Sequence, residues 1–465
     1  MDNILRKAPH TLDAKSEDLV AQFSLSSDTA ESTYTILSSS DMPWPKVTLS
    51  DGSTPTLDQS AYTRYRGVAN RADRKLVMDA FFGQYKKFEN TFGATLYGQM
   101  KVDSVNAKVH LYPDVISERV DDGPVPIAVY DTLIAQVNAT LPTLHRYFRM
   151  RAMMLGVIDL HYYDIYPPLV SAERKYSLDE AKALTLAAVA PLGAEYVSAM
   201  SNGFDNRWMD AYPRPRKLPG AHMNPGAYDV HPYVLMNYND DYESVSTLAH
   251  EWGHALHSVL AMKAQPYVSA NYPIFIAEIA STFNEALLLN HVLKVAKSDD
   301  ERLLVLGSAL ENLRGTYYRQ AMFAEFERVV HAKVDNGEAV SGAALSTIYG
   351  EILRRYHGDA VTIDEVDTME WANIPHFYGA FYVYQYATSI AASSLFADSV
   401  LKNEPGARDR YLGLLRAGGS DDPYDLVKKA GVDLASPAPY RSIAARMDRI
   451  MDEIEAIQKR KASGS

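Results

Sequence analysis

The stretch TLAHEWGHALHSVLA, residues 247 to 261, places three histidines and one glutamate in an apolar, helix-forming sequence. His250 and His254 are four residues apart, so on a helix both imidazoles project from the same face. This spacing suits two nitrogen ligands of one zinc ion. The alternative interpretation is two ordinary core histidines whose ring nitrogens are hydrogen-bonded to the backbone or to water. Glu251 follows the first histidine and is predicted to be the general base that acts on a zinc-activated water. His257 is interpreted as a packing residue or as a hydrogen-bonding partner of a ligand.

A catalytic zinc ion needs a third protein ligand. The chain contains no cysteine, so this ligand must be His, Asp or Glu. The apolar segment 272–293 carries two acidic residues, Glu278 and Glu285. A carboxylate in so apolar a helix needs a cation, and Glu278 follows His254 at a distance that allows a second helix to return alongside the first. Glu278 is therefore predicted to be the third ligand, and Glu285 to support a ligand or to join a buried ion pair.

The segment IPHFYGAFYVYQYATS, residues 374 to 389, combines one histidine with several aromatic residues. If it is helical from residue 377, its aromatic side chains form two stripes, which is typical of a core helix. The functional interpretation is that His376 and one or more tyrosine hydroxyls of this segment donate hydrogen bonds to the oxyanion that forms when water attacks a carbonyl. Periodicity does not identify which tyrosine would serve.

The elements that must position these residues are mostly α-helical, because apolar residues recur three and four positions apart from about residue 70 onward. Residues 33–57 are polar and contain proline, which predicts a short hairpin or an irregular loop. Residues 212–239 predict a loop that ends in a short strand.

Composition excludes several classes of function. The 465-residue chain has a formal net charge of -12 and no basic cluster, which argues against a nucleic-acid partner. It contains no run of roughly 18 to 20 apolar residues and no apolar core of a signal peptide near its start, which predicts a cytoplasmic protein without a membrane partner.

Five motifs occur in a characteristic order: HPYVLMNY, TLAHEWGHALHS, FIAEIASTFNEALL, RGTYYRQAMFAEFE and WANIPHFYGAFYVYQYATS. Together they resemble the zinc oligopeptidases of the thimet oligopeptidase and oligoendopeptidase F type, most closely the oligoendopeptidase F branch. The resemblance runs from about residue 3 to about residue 455. It implies a mostly helical, two-lobed peptidase with a deep substrate channel and a small β element beside the metal helix.

The resemblance also implies that the family's usual N-terminal helical segment is missing before this chain begins. Residues 1–70 are accordingly predicted to be a remnant of the N-terminal lobe that includes the short hairpin or loop. Residues 71–455 are predicted to form the helical catalytic region, and residues 456–465 a flexible tail.

The family's pattern agrees with the zinc ligands and the base predicted above, and it implies that His376 acts with Tyr378, Tyr382 or Tyr384 on the tetrahedral intermediate. It further implies an edge strand along which an extended peptide is bound through main-chain hydrogen bonds. The residues that match this strand are Tyr233, Val234, Leu235, Met236 and Asn237.

These observations predict an endopeptidase of short peptides that binds one zinc ion per chain. One alternative is a zinc carboxypeptidase or dipeptidase, which would need a cation such as Arg314 or Arg319 to hold a terminal carboxylate. The other is a non-catalytic relative that binds peptides. The oligomeric state, the cleavage preference, the peptide length limits and any metal other than zinc are left open by the sequence.

Overall fold

Helices dominate the computed structural model, which describes residues 2–170 and 174–463. Within these ranges the only extended sheet has three short strands, so the predicted mostly helical class is confirmed. No helix in the described ranges is both long enough and apolar enough to cross a membrane.

The first of two compact units comprises Met1–Asp122, Leu144–Pro168 and Ala321–Val383. Its core contains an aromatic cluster in which the rings of Tyr62 and Phe81 stack with centroids 4.0 Å apart. Its helices, including the larger parts of α9 and α16, are α1 Asp2–Lys7, α2 Ala14–Phe23, α3 Thr29–Ile36, α4 Gln59–Tyr65, α5 Arg71–Lys87, α6 Glu89–Val109, α7 Val115–Asp122, α9 Leu141–Leu155, α16 Arg319–Asp335 and α17 Gly342–His357.

The second unit comprises Gly123–Thr143, Leu169–Gln320 and Tyr384–Ser465. Its helices are α8 Ile127–Ala139, α10 Leu178–Ala188, α11 Ala194–Asp205, α12 Tyr242–Ala264, α13 Tyr267–Ala270, α14 Ile274–Val295, α15 Asp299–Asn312, α18 Tyr384–Leu401, α19 Ala407–Ala417, α20 Pro423–Lys429 and α21 Ala438–Ser463. Helix α14 packs between α12 and α18. It is apolar around most of its circumference because it is buried on more than one side.

The small sheet of the second unit consists of β1 Met209–Asp210, β2 His222–Asn224 and β3 Tyr233–Leu235, in the order β1-β3-β2. Strand β3 pairs in parallel with β1 and antiparallel with β2. The prediction that residues 233–237 form an edge strand is therefore wrong, since β3 is central and its backbone groups are occupied on both sides. Strands β1 and β2 form the edges of the sheet.

Two other predictions of local structure differ from the observed elements. Residues 33–41 belong to α3 and to a π-helical turn, Leu37–Asp41, so the hairpin is limited to an isolated antiparallel bridge between Lys46 and Thr56. The predicted tail at 456–465 is helical through Ser463, because Ile457 continues the buried apolar face of α21. The predicted boundary at residue 70 does not coincide with a boundary between the two units.

Candidate metal centre and active-site cavity

Helix α12 presents the two histidines of the metal motif. The helix begins after Asp241, whose carboxylate accepts a hydrogen bond of 2.7 Å from the backbone N–H of Ser244. Such a cap satisfies one of the unpaired N–H groups of the first turn. The rings of His250 and His254 lie on one face with their centroids 4.9 Å apart. The helix thus holds both imidazoles side by side.

Helix α14 brings Glu278 to these histidines. Its Oε2 atom lies 3.4 Å from Nε2 of His250 and 3.4 Å from Nε2 of His254. Two ligands in tetrahedral geometry around zinc are separated by about 3.4 Å when each bond is about 2.0–2.1 Å long. The three side chains therefore fit one zinc ion. Elsewhere in the described ranges, no other group of three His, Cys, Asp or Glu side chains gathers in this way.

The close approach of α12 and α14 depends on Gly253. A Cβ atom at this position would lie 2.6 Å from the carbonyl oxygen of Ala280 and 2.7 Å from Cα of Ser281. Only glycine allows the two backbones to come so close. Ser281 also donates a hydrogen bond of 2.9 Å to Oε2 of Glu278. This contact fixes the carboxylate that faces the histidines.

Glu285 lies behind His250. Its Oε1 atom is hydrogen-bonded to Nδ1 of His250, and its Oε2 atom accepts a hydrogen bond of 2.9 Å from Nδ2 of Asn312. A carboxylate at Nδ1 fixes the orientation of the ring and leaves Nε2 free for a metal. Burial raises the pKa of Glu278, but the hydrogen bond and charge of His254, together with the charge of His250, lower it to about 2. Glu278 is thus ionised at neutral pH.

Glu251 is buried beside the histidines, with 6% of its surface exposed. Burial raises the pKa of its carboxyl group, and the charges of His250 and His254 oppose this increase. A carboxylate whose proton affinity is raised in this way is suited to accept and return a proton near neutral pH.

Two cavities in the second unit meet at His250, His254 and Glu278, which are called the metal group below. The first has a volume of about 610 Å³ and extends from the metal group to residues of α15, α18 and α21. The second has a volume of about 450 Å³ and is lined by His222 and Met223 of β2, as well as by Ser258 and Tyr272. The metal group therefore has space on two sides in which a substrate could be bound.

Comparisons with known proteins identify the family of the chain. Residues 65–445 match the profile of Peptidase family M3, and residues 1–43 match that of Oligopeptidase F. The chain belongs to peptidase family M3. It is 38% identical over 458 residues to Oligopeptidase PepF of Bacillus subtilis, a match that covers 98% of this chain and 68% of that protein.

Two further relatives support the assignment. Group B oligopeptidase PepB of Streptococcus agalactiae is 36% identical over 446 residues, covering 96% of this chain and 74% of that protein. The crystal structure of oligoendopeptidase-F from Enterococcus faecium superposes with a TM-score of 0.82 at 31% identity, covering 99% of this chain and 77% of that chain. The family and its named members make this chain a metalloendopeptidase.

The predicted oxyanion donors of this M3 peptidase do not lie on one helix. Helix α18 begins at Tyr384, and residues 375–378 form a separate 3-10 turn. Between them, Phe381 adopts a left-handed backbone conformation with φ of 57°. The condition of a helix from residue 377, on which the two aromatic stripes depended, is therefore not met. His376 is exposed and Tyr382 is half-buried, with their ring centroids 6.2 Å apart in the first unit.

Tyr378 and Tyr384 are both buried. The hydroxyl of Tyr378 is hydrogen-bonded to Oγ1 of Thr95 at 2.7 Å, and its ring stacks on Tyr34 with centroids 4.5 Å apart. The ring of Tyr384 packs 5.0 Å from that of Tyr130. Neither residue lines the two cavities of the M3 peptidase.

Tyr386 lines the first cavity, together with Glu251 and with Ile390 one turn further along α18. Sequence reasoning did not select it, although it belongs to the same motif. The spacing of Tyr386 and Ile390 on one helical face would have indicated it if the start of α18 had been known.

His257 packs away from the metal group. Its ring stacks on Tyr272 with centroids 3.5 Å apart, and neither ring nitrogen has a hydrogen-bond partner in the part of the chain that the structure describes. Burial lowers the pKa of His257 to about 3, so the ring is neutral. Of the two interpretations given above, the structure favours the packing residue.

Proposed function

We propose that this metalloendopeptidase hydrolyses internal peptide bonds of short peptides with the help of zinc bound by His250, His254 and Glu278. The observation that carries the proposal is the distance of 3.4 Å from Oε2 of Glu278 to Nε2 of each histidine, beside a buried Glu251. Zinc, when bound, polarises a carbonyl group and makes a water molecule more acidic. The names of the relatives, which refer to oligopeptidases, support peptides as the substrates.

Glu251 supplies the proton transfers. Its carboxylate accepts a proton from the attacking water and returns it to the nitrogen of the leaving amine, so the residue ends the cycle as it began. Burial raises the pKa of this carboxyl group, which makes its carboxylate a stronger proton acceptor. Glu285 holds His250 in the tautomer and orientation that a metal ligand needs.

The free edge of β2 is the best support for an extended peptide. The N–H groups of Val234 and Met236 donate hydrogen bonds of 2.8 Å each to the carbonyls of Trp208 and Asp210. Because backbone groups alternate in direction along a strand, those of Tyr233 and Leu235 point towards β2. In antiparallel pairing the backbone of Met223 then points away from β3. A peptide paired with Met223 would lie beside the second cavity, and these backbone contacts would be largely indifferent to its sequence.

Among the tyrosines of segment 374–389, Tyr386 is the one that lines the same cavity as Glu251, and it is the proposed donor of a hydrogen bond to the developing oxyanion. The roles of His376 and Tyr382 stay predictions. Tyr378 is unsuited, since its hydroxyl is already bonded to Thr95.

The carboxypeptidase hypothesis named Arg314 or Arg319 as the cation that would hold a terminal carboxylate. Arg314 is paired with Glu311 at 3.1 Å, and neither Arg314 nor Arg319 lines either cavity. The cytoplasmic location stays a prediction.

The decisive experiment compares the parent protein with Glu251→Gln on a ladder of peptides of increasing length, with products identified by mass spectrometry. We expect internal cuts by the parent and a rate lowered by about 10²- to 10⁴-fold in the variant. Zinc content, measured by atomic absorption, should be equal in both proteins. Glu243→Gln is the matched control, since Glu243 lines the same cavity from the first turn of the same helix.

Each alternative has its own signature. An active Glu251→Gln variant would refute the role of the base. Loss of single residues or dipeptides from one end by the parent would favour the exopeptidase reading. A zinc-loaded parent that binds peptides without cutting any of them would favour the non-catalytic relative.

A further inference from the structure

Arg446 of α21 is the only lysine or arginine among the described residues that lines the first cavity. Its surroundings are otherwise acidic, because five glutamates line the same space: Glu243, Glu251, Glu278, Glu285 and Glu311. An arginine in such a cavity would normally be expected to pair with one of these carboxylates.

Arg446 makes no such pair. Its Nη1 atom donates a hydrogen bond of 2.9 Å to Oγ of Ser394, and among residues 2–170 and 174–463 no carboxylate oxygen lies within ion-pair distance of its guanidinium group. The carboxylate of Glu285 is engaged by His250 and Asn312. Most of the five N–H donors of this guanidinium group are therefore unused by protein partners.

Other arginines of the second unit show the contrast. Arg302 is paired with Glu453, and Arg174 lies 2.7 Å from Glu301. Arg446 is half-buried, and burial lowers the pKa of its guanidinium group. Enclosing a charge without a partner costs free energy, and a bound anion would offset this cost. Arg446 lines the same cavity as Glu251, the predicted base.

We propose that Arg446 binds a carboxylate group of the peptide substrate inside the first cavity. The ligand chemistry is a carboxylate, supplied either by the C terminus of the peptide or by an acidic side chain. The proposal rests on the proposed peptidase function, and it names a specificity-determining residue for it. A planar guanidinium group with several free N–H donors can bind a carboxylate through two hydrogen bonds at once.

The two sources predict different products. If the C terminus is bound, cuts fall at a constant number of residues from that end, and peptides too long for the cavity are cut poorly. If an acidic side chain is bound, cuts fall at a constant distance from that residue in any peptide. The surrounding glutamates would repel carboxylates elsewhere in the cavity, so the position of the anion should be well defined.

The experiment uses one peptide sequence without acidic residues in two forms, with a free C-terminal carboxylate and with a C-terminal amide. A third peptide is the amide with a single glutamate, moved one position at a time. Binding is measured by calorimetry on zinc-loaded Glu251→Gln protein, so that it does not depend on turnover. Values of KM and kcat are measured on the active protein. Each measurement is repeated with Arg446→Met, Arg446→Lys and Arg449→Met, the last being an exposed control on the same helix that lies outside the cavity.

We expect the parent to bind a carboxylate-bearing peptide at least about tenfold more tightly than the plain amide, since hydrogen bonds to charged groups are typically worth about 1.5–3 kcal/mol. Arg446→Met should remove this difference through KM with little change in kcat, and Arg446→Lys should retain part of it. Arg449→Met should behave like the parent. Preference for the free C terminus or for one glutamate position identifies the source of the carboxylate.

The proposal is overturned if the parent does not distinguish the carboxylate peptides from the amide, or if folded Arg446→Met retains the distinction. If Arg446→Met fails to fold, as judged by circular dichroism, Arg446→Gln provides the same test, because it also removes the positive charge. Failure of the proposed function has a different signature, in which the parent binds the carboxylate peptides selectively and cuts none of them.

Discussion

Substituting Gly253 by alanine tests whether the close approach of α12 and α14 builds the metal site. The added Cβ would lie 2.6 Å from the carbonyl oxygen of Ala280, 2.7 Å from Cα of Ser281 and 2.9 Å from the carbonyl carbon of Ala280. All three atoms belong to the backbone of α14, so no side-chain rotation can relieve the contact. The two helices must move apart.

The size of the movement follows from these distances. Increasing the closest contact from 2.6 Å to an ordinary 3.4 Å requires about 0.8 Å of separation. His254 is adjacent to Gly253, and Glu278 precedes Ala280 by two residues. Metal–ligand distances tolerate deviations of only about 0.2 Å. The substitution should therefore weaken zinc binding by at least about tenfold and lower the free energy of unfolding by about 1–3 kcal/mol.

The assay is a competition titration of the metal-free protein against a chelator of known zinc affinity, combined with thermal unfolding followed by circular dichroism. Gly413→Ala is the matched control, because Gly413 lies in helix α19 of the same unit and an added Cβ there meets nothing within 4 Å. The control should raise stability by about 0.5–1 kcal/mol and leave zinc affinity unchanged. Parent-like zinc affinity and melting temperature in Gly253→Ala would refute the reasoning.

Three further outcomes are expected. Glu285→Gln should weaken zinc binding by about 10- to 100-fold in the same titration, because it weakens the support of His250; unchanged affinity would contradict that role. Tyr386→Phe should lower kcat by about 10²-fold or more, whereas Tyr378→Phe should leave kcat near the parent value. If steady-state kinetics show the larger loss of kcat in Tyr378→Phe, the hydrogen bond to the oxyanion would be assigned to Tyr378. Burial raises the pKa of Glu327 to about 8 from an ordinary value of 4.5, so the folded protein holds a proton that the unfolded chain loses. The unfolding free energy should therefore fall as the pH rises from about 4.5 through about 8. Urea unfolding of Glu327→Gln should lack this pH dependence. Equal pH profiles for the parent and the variant would show that the carboxyl group is not buried as described.

The grouping of His250, His254 and Glu278 was predictable from the sequence because each residue rests on a local pattern. Two histidines four residues apart share a face on any helix, whatever the helix packs against. Glu278 was identified by its isolation in an apolar segment, since a buried carboxylate requires a cation. The structure brings these same three side chains together. Helical periodicity and the cost of burying charge were sufficient to predict this group.

The order of the strands was not predictable in this way. Residues 233–235 have the pattern of a strand, but whether a strand is central or at an edge depends on partners elsewhere in the chain. Strand β2, residues 222–224, lies between two Pro-Gly pairs and is only three residues long. Its composition indicates a loop, and its extended conformation comes from pairing with β3. The predicted edge strand is therefore the central strand of the sheet.

The break between residue 378 and helix α18 also depends on a contact between distant residues. Phe381 adopts a positive φ, and its N–H group donates a hydrogen bond of 2.8 Å to Oε1 of the buried Glu327 on α16. This contact helps to hold the turn that separates the 3-10 segment from α18, so no single helical wheel relates Tyr378 to Tyr386. Tyr378 precedes the turn and packs in the first unit, whereas Tyr386 follows it and lines the cavity of the second. Sequence periodicity relates residues within one helix. The start of α18 also depends on the carboxyl group of Glu327, which lies 54 positions before Phe381 in the chain.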